Sequence, residues 1–296
     1  MTTICPIPVE TTTRVLLGHG SGGKLSAALL KDVFLRVFAN PVLDRLEDQA
    51  TIAIGGMRLA FTTDSFVVKP LFFRGGDIGS LAVHGTVNDL AMGGAEPLFL
   101  SAGFILEEGL DMDTLRRVVE SMGRAAKDAG VDIVTGDTKV VERGSGDGIF
   151  INTTGIGMVP DGLDLSAANA RPGDRVILSG TLGDHGIAIL SEREGISFES
   201  PVESDSAALH TLVRAMMNVA RTSTRALRDP TRGGLASSLN EIAASSRVGI
   251  ELVESAIPVR EEVRGACELL GLDPCVCSQR REVGGDRRAG VRRCRA

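Results

Sequence analysis

The sequence predicts an α+β chain, mixed α/β in its order and built in two parts, and three observations predict it. Short apolar runs of strand length alternate with stretches of helical period over roughly 120 residues of the first half. The turn signature Arg171-Pro172-Gly173-Asp174 then interrupts that alternation, and a fresh apolar run, Val176-Ile177-Leu178, opens directly after it. Acidic breaks follow or interrupt apolar runs at Thr62-Thr63-Asp64-Ser65, at Thr135-Gly136-Asp137-Thr138-Lys139 and at Arg228-Asp229-Pro230-Thr231-Arg232-Gly233-Gly234. Carboxylates are thereby delivered from separate elements.

Taken in order, residues 1–12 show no periodicity and read as an arm. Arg14-Val15-Leu16-Leu17 leads into Gly18-His19-Gly20-Ser21-Gly22-Gly23-Lys24-Leu25, and a helix with Leu30, Val33, Phe34 and Val37 on one face follows. The glycine stretch nearly matches a phosphate-binding loop, but Leu25 stands where that loop needs Ser or Thr, and Ser26 is one residue late. A P-loop ATPase and a plain flexible linker both stay open at this point. The boundaries expected are 1–40 for arm, glycine loop and helix, 41–160 for a first domain, 171–274 for a second, and 275–296 for a tail of different composition.

In the first domain a hairpin is expected over 52–61 around Gly55-Gly56. Its second strand has Leu59 and Phe61 on one face and continues through Phe66, Val67 and Val68. Asp77, after Gly75-Gly76, is a good N-cap for a helix with Ile78, Leu81, Ala82 and Gly85 at helical spacing. Asn88 and Asp89 then fall in its last turns, before Gly93-Gly94. A strand over 98–105, a helix over 111–129 with Leu115, Val118, Val119 and Met122 facing inwards, a strand over 131–134 and another over 149–159 complete it. The second domain is expected to run through a strand at 175–179, a Gly-rich turn containing His185, helices at 187–194, 206–220 and 234–246, a strand at 250–253 and a helix at 258–270 with Pro258 at its start. His185, with no His or Cys pattern nearby, reads as a structural donor as readily as a phosphate contact.

The chemistry follows from the carboxylates. If Asp64, Asp89, Asp137 and Asp229 converge they repel, each pair by about 4 kcal/mol at about 4 Å and an effective dielectric near 20. Such a cluster calls for a divalent cation. Hard oxygen donors suit Mg²⁺, which takes a few protein carboxylates and completes its shell with water and substrate phosphates, so a nucleotide site is the natural expectation. Each Asp alone fits a helix or turn cap equally well.

Composition narrows the class. The 296 residues are 43% hydrophobic, and no apolar run approaches the length of a membrane span. The N-terminus lacks both parts of a secretory signal, so a cytoplasmic protein without membrane association is expected. Five scattered cysteines do not make a disulfide framework. A net charge of −6, no Trp or Tyr and 3% aromatic residues argue against nucleic acid as a partner.

With GHGSGGKL, then TTDSFVVKPLFFRGGDIGSLAVHGTVNDLAMGGAEP, GDTKVV and RDPTRGGLA in this order, the chain resembles the HypE family of hydrogenase expression/formation proteins. That family lies in the superfamily of aminoimidazole ribonucleotide synthetase, selenophosphate synthetase and thiamine-monophosphate kinase. The resemblance covers about residues 18–274. It implies a two-domain aminoimidazole ribonucleotide synthetase-like fold, a homodimer paired through the first domain, and ATP held in a cleft. It also implies ATP-dependent dehydration of a cysteine-bound carbamoyl group to a thiocyanate, destined for the iron of [NiFe] hydrogenase. Partners implied are the carbamoyltransferase HypF and the HypC–HypD scaffold. Carried onto matching positions, Asp64, Asp89, Asp137 and Asp229 are Mg²⁺ and ATP ligands, Gly22, Gly23, Lys24 and Asn88 lie near the phosphates, and Lys139 is the catalytic lysine.

The resemblance stops after Leu272-Asp273-Pro274, where the family continues with an Asn-Glu-Gly-Lys segment and ends on Pro-Arg-Ile-Cys. Here seven arginines stand against Glu282 and Asp286 in an aperiodic tail. Permitted codons for 276–288, read one base out of frame, spell the missing segment, which points to a single-base frameshift close after Pro274. On that reading the second domain is truncated, the tail is disordered, and the chain as written lacks its acceptor cysteine and is inactive as a dehydratase. Sequencing of the source DNA decides it, since codons that cannot spell the segment rule a frameshift out.

Overall fold

The computed structural model describes residues 13–196, 200–277 and 283–286, the last four by backbone alone. The expected arm over 1–12 lies outside them, as do Cys5 and Cys294. Among the described residues no helix is long and apolar enough to cross a membrane.

After the glycine stretch the chain forms α1 (Gly23–Leu29), a π-helical turn over Leu30–Phe34, and α2 (Leu35–Phe38). The expected helix is present, but its apolar face is not buried within the chain: Val33, Phe34 and Val37 are exposed.

The first domain is built on β1 (Ala50–Ile54), β2 (Met57–Phe66), β5 (Glu96–Glu107), β6 (Asp132–Val141) and β7 (Ile149–Met158). A two-stranded pair, β3 (Phe72–Phe73) and β4 (Gly76–Asp77), precedes its first helix. The sheet order is β1-β2-β7-β5-β6. Gly55 and Gly56 turn β1 into β2 at φ 59° and 83°, a conformation for which side-chain-bearing residues are poorly suited. Only β5 and β6 run parallel, and the crossover that a parallel pair requires is α4 (Met112–Asp128).

One face of this sheet is covered by α3 (Ile78–Met92) and α4, and alternation along the strands tells the faces apart. Ala60, Thr62 and Phe66 of β2 and Ile149, Ile151 and Thr153 of β7 point to the helices, whereas Phe61, Ile156 and Met158 point away and are exposed. α3 is buried nearly all round. Each of Ile78, Leu81, Val87 and Leu90 contributes about 1.5–3 kcal/mol by its burial, which makes this helix the centre of the domain.

The second domain holds β8 (Arg175–Leu178), α5 (Asp184–Glu194), α6 (His210–Ala220), β9 (Leu227–Arg228), α7 (Gly234–Ser246) and α8 (Glu261–Leu270). Its antiparallel sheet has the order β8-β10-β9, with β10 (Val283–Asp286) in the middle. The expectation of a tail without structure is therefore corrected at this point. The inner edges of β8 and β9 carry backbone donors and acceptors that need a strand between them, and a short stretch of tail backbone supplies one.

Five further expectations are corrected. The strand begun at 131–134 runs on to Val141, because β5 offers it a parallel ladder as far as Glu107. The helix expected from 206 begins at His210. Ser204 Oγ accepts the Ser206 N–H at 3.2 Å and Asn88 Oδ1 accepts the Leu209 N–H at 2.8 Å, which holds both groups out of the helix. Residues 250–253 form no strand of a sheet among the described residues, and Ile250 and Leu252 pack by their side chains against the core around Leu239 and Ile242. Pro258 precedes its helix rather than opening it, and its carbonyl accepts the Leu182 N–H. Val119, expected to face inwards, is 47% exposed.

Candidate functional site

Asp77 caps α3 by accepting the N–H groups of Gly79 at 2.7 Å and Ser80 at 3.1 Å, and Ser121 Oγ donates to its other oxygen. The helix start is thus fixed, and Asp89 is fixed three turns later on the side that faces β2. There the Thr62 hydroxyl lies 3.0 Å from Asp89 Oδ2 and 2.9 Å from the Asp48 carbonyl. Asp64, two residues along the same face of β2, adds a second carboxylate. Asp48, just before β1, adds a third.

The second domain brings the rest. On β9, Arg228 is buried and reaches Asp48 Oδ1 at 3.2 Å, Glu241 Oε2 at 2.6 Å and the Leu46 carbonyl at 3.0 Å. Burial works against the Arg228 charge, but Asp48 and Glu241 outweigh it and its pKa is raised. The next residue, Asp229, is buried beside this clamp.

The electrostatic cost is visible at two of these carboxyls. Burial pushes the Asp89 pKa well up, and Asp48, Asp64 and Asp229 each push it further. Burial also pushes Asp48 up to about 6, although Arg228 opposes it. Asp48 Oδ2 has no hydrogen-bond partner among the described residues. A buried carboxyl whose proton affinity three neighbouring carboxylates raise suits a hard divalent cation, which would replace the proton as the compensating charge. Among the described residues no three His, Cys, Asp or Glu side chains are placed to hold a metal ion together, so a cation here would rest on fewer protein ligands. Mg²⁺ fits such a site, because it keeps much of its shell for water and phosphate.

The glycine stretch lies over this cluster. Leu17–Gly20 is a 3₁₀ turn, not a strand, and Ser26 Oγ donates to the His19 carbonyl at 2.8 Å and accepts the Gly22 N–H at 2.9 Å. A phosphate-binding loop opens from a strand, so the P-loop reading fails here. Gly22, at φ 82°, packs against the second domain so closely that a Cβ would lie 2.8 Å from the Arg232 carbonyl carbon. From that turn Arg232 Nη2 reaches Asp64 Oδ1 at 2.9 Å. Between the domains opens a cleft of about 1160 Å³, whose lining includes Ser21, Asp64, Lys69, Arg193, Arg232 and Cys277.

The structure therefore brings Asp64, Asp89 and Asp229 together, with Gly22 and Gly23 above them and Lys24 in the first turn of α1. It does not bring Asn88, Asp137 or Lys139 to them. Asn88 is fully buried and spends its amide on the Ala207 carbonyl, at 3.0 Å, and the Leu209 N–H, because its place on α3 turns it to the second domain. Asp137 and Lys139 pair with each other at 3.0 Å on the exposed edge strand β6, where Lys139 holds the Asp137 carboxyl below its usual range. Asp64 pairs with Thr153, Thr153 with Ala102, and Ala102 with Gly136. Three strand spacings, roughly 14 Å, thus separate Asp64 from the neighbourhood of Asp137, and Asp137 faces the open side of the sheet. His185 is structural: its Nδ1 meets Ser204 Oγ at 2.8 Å and its ring stands edge-on to Phe73. Asp48, Arg228 and Arg232 are site residues that the sequence pattern does not single out. The pair Glu47-Asp48 directly before a hairpin, and the two arginines flanking Asp229, were the signals available.

Both halves of the chain match known families. Residues 46–159 match the N-terminal domain, and 171–279 the C-terminal domain, of the AIR synthase related proteins. The carbamoyl dehydratase HypE of Azotobacter vinelandii is 60% identical over 256 residues, which cover 86% of this chain and 75% of that protein. The chain belongs to the HypE family. Among solved structures, HypE in a HypE–HypF complex superposes with a TM-score of 0.83 at 50% identity, covering 88% of this chain and 84% of that one. A hydrogenase maturation protein HypE in complex with ATP superposes with a TM-score of 0.76 at 54% identity, covering 92% and 81%. In this HypE-family chain the carboxylate cluster straddles the two matched domains, with Asp48, Asp64 and Asp89 in the first and Asp229 in the second. The glycine stretch precedes both.

Proposed function

We propose that this chain binds Mg²⁺ and ATP in the interdomain cleft and serves the HypE reaction, the ATP-dependent conversion of a cysteine-bound carbamoyl group to a thiocyanate. The observation that carries it is the convergence of Asp48, Asp64 and Asp229 on Asp89, with Asp64 on the wall of the cleft, in a chain 60% identical to a carbamoyl dehydratase. A carbamoyl oxygen is a poor leaving group. The nucleotide supplies a phosphoryl group that leaves with that oxygen as phosphate, and the carbamoyl nitrogen gives up two protons as the C≡N bond forms. The carboxylates hold the metal, and the turn Thr231-Arg232-Gly233 with the glycine stretch closes the cleft against water. Of the described cysteines, Cys267 and Cys277 are poor candidates for the carbamoylated thiol, since burial raises the Cys267 pKa and pushes Cys277 up to about 12.

The working unit on this reading is a cytoplasmic homodimer that receives its carbamoyl group from HypF and passes cyanide to the HypC–HypD scaffold. The open face of the first sheet, with Phe61, Phe99, Ile105, Ile156 and Met158 exposed, supports pairing with a second copy. Asp137 and Lys139 lie on that face and act across the pair, while the other carboxylates act within one chain.

Calorimetry of Mg-ATP binding tests the site. Asp89→Asn is expected to weaken binding at least about tenfold, the loss of one charged ligand, while Asp113→Asn on the solvent side of α4 stays within about twofold. Equal affinities would remove Asp89 from the site. Intact mass measured with and without ATP, after incubation with the carbamoylating partner and carbamoyl phosphate, tests the chemistry. ATP-dependent loss of one water from a carbamoylated cysteine would show turnover and overturn the expectation that the chain as written is inactive, whereas nucleotide binding without any adduct would leave a chain that binds ATP and does not dehydrate.

A further inference from the structure

Arg232 joins the three walls of the cleft. Its backbone lies under Gly22 of the glycine stretch, its own turn leads into α7 of the second domain, and its guanidinium holds Asp64 of the first. We propose that Arg232 is a phosphate-gripping residue for the terminal phosphoryl group of a nucleoside triphosphate, kept on Asp64 until a divalent cation takes its place. The proposal rests on the Mg-ATP reading above and adds to it the group that tells a triphosphate from a diphosphate.

The pair with Asp64 is built to exchange. The Arg232 side chain is 62% exposed and that of Asp64 20%. An ion pair so open to water contributes little to the stability of the fold, so giving it up costs little. Asp64 also belongs to the cluster that raises the Asp89 proton affinity, so Arg232 neutralises part of a charge that a cation would neutralise better. Two cations do not share one carboxylate without repulsion. A divalent ion arriving at Asp64 therefore frees Arg232 into the cleft.

The other cations around the cleft are committed differently. Lys69 pairs with Asp147 at 3.0 Å and Arg193 with Glu194 at 3.0 Å, both with exposed carboxylates that are no part of the cluster. Arg228 is buried and clamped by Asp48 and Glu241. Arg228 also meets a carboxylate of the cluster, but it is buried and held by Glu241 as well, so Arg232 is the one exposed cation of these four that is paired to a candidate metal ligand. Its planar fork of donors matches a phosphate in two places at once, which a lysine ammonium does not.

Calorimetry on the full chain tests this with Mg²⁺ alone, Mg-ADP and Mg-ATP, on wild type, Arg232→Ala and Arg232→Lys, with circular dichroism melts to show that each variant is folded. Wild type is expected to prefer Mg-ATP over Mg-ADP by about tenfold or more, the worth of one charge-assisted bidentate contact. Arg232→Ala should lose that preference while keeping its affinity for Mg-ADP, and should bind Mg²⁺ alone more tightly than wild type, because Asp64 is released. Arg232→Lys should restore the weaker metal binding, which needs only a charge, but not the triphosphate preference, which needs the fork. Persistence of the ATP preference in Arg232→Ala, metal affinity unchanged in that variant, or full rescue by lysine would overturn the proposal. Wild type that binds neither nucleotide would overturn the Mg-ATP reading itself.

Discussion

Asp89 and Asp48 are carboxylic acids kept where their ionised forms are disfavoured, which costs the fold stability wherever no cation compensates them. The folded chain binds their protons more tightly than the unfolded chain does. Stability from these groups is complete below the ordinary carboxylate range and is lost as pH rises through their folded values. For Asp48 the window runs from 3.8 to about 6, and the shift corresponds to as much as about 3 kcal/mol. In the presence of a chelator, urea unfolding should therefore show wild type less stable at pH 8 than at pH 5. Asp89→Asn, which removes one of the charges that repel Asp48, should flatten that profile and exceed wild type in stability at pH 8. Saturating Mg²⁺ should restore wild type but not the variant. A wild-type profile that rises between pH 5 and 8 under chelation would contradict the electrostatic reading. At this scale the sequence displayed which acids interrupt apolar runs, but not which face each would take. Asn88 and Asp89 are adjacent in sequence, yet a helix turns neighbours by about 100°, so one braces the second domain and the other enters the cluster.

Among the elements, α3 sets the positions of the others, and its close packing on α4 is the condition for placing Asp89. Gly79 has no side chain where the two helices cross, and a Cβ there would lie 2.4 Å from the Val118 carbonyl oxygen. Alanine is the better helix former by about 1 kcal/mol, but overpacking against a backbone carbonyl costs about 1–3 kcal/mol, and the carbonyl cannot rotate away. Gly79→Ala should therefore destabilise the chain by about 1–2 kcal/mol in chemical denaturation, and should weaken Mg-ATP binding as α3 shifts. A gain in stability would show that the helices have room to separate. α3 was legible in advance because its cap, its apolar period and its glycine stop all agree. β6 was cut short in the reading because Thr135, Asp137 and Lys139 look like a break, and only the ladder offered by β5 makes them strand. The start of α6 was misplaced for a related reason: the Leu209 N–H is captured by Asn88, 121 residues earlier in the chain. Local sequence carries no trace of such partners.

Taken whole, the molecule exposes more apolar surface than one folded chain of this kind needs. One face of the five-stranded sheet is covered by helices, and the other presents Phe61, Phe99, Ile105, Ile156 and Met158 to solvent beside Asp137 and Lys139. A patch of this extent on an otherwise well-buried domain is the mark of an isologous partner, and a second copy is the partner proposed. The mixed α/β order and the two-part division are legible from patterning alone, whereas the proposed distribution of the site between two chains is not, because nothing in one sequence states which chain a residue serves. That distribution predicts complementation. Lys139→Ala and Asp89→Asn chains should each fail to bind Mg-ATP at full affinity, since every site in either homodimer lacks one group. When the two are unfolded together, refolded and allowed to pair at random, half the dimers are mixed, and each mixed dimer has one site with both groups intact and one with neither. Calorimetry should then recover high-affinity binding at about a quarter of the wild-type stoichiometry. Recovery of no sites would mean that Lys139 acts within its own chain or not at all, and would move Asp137 and Lys139 out of the nucleotide site.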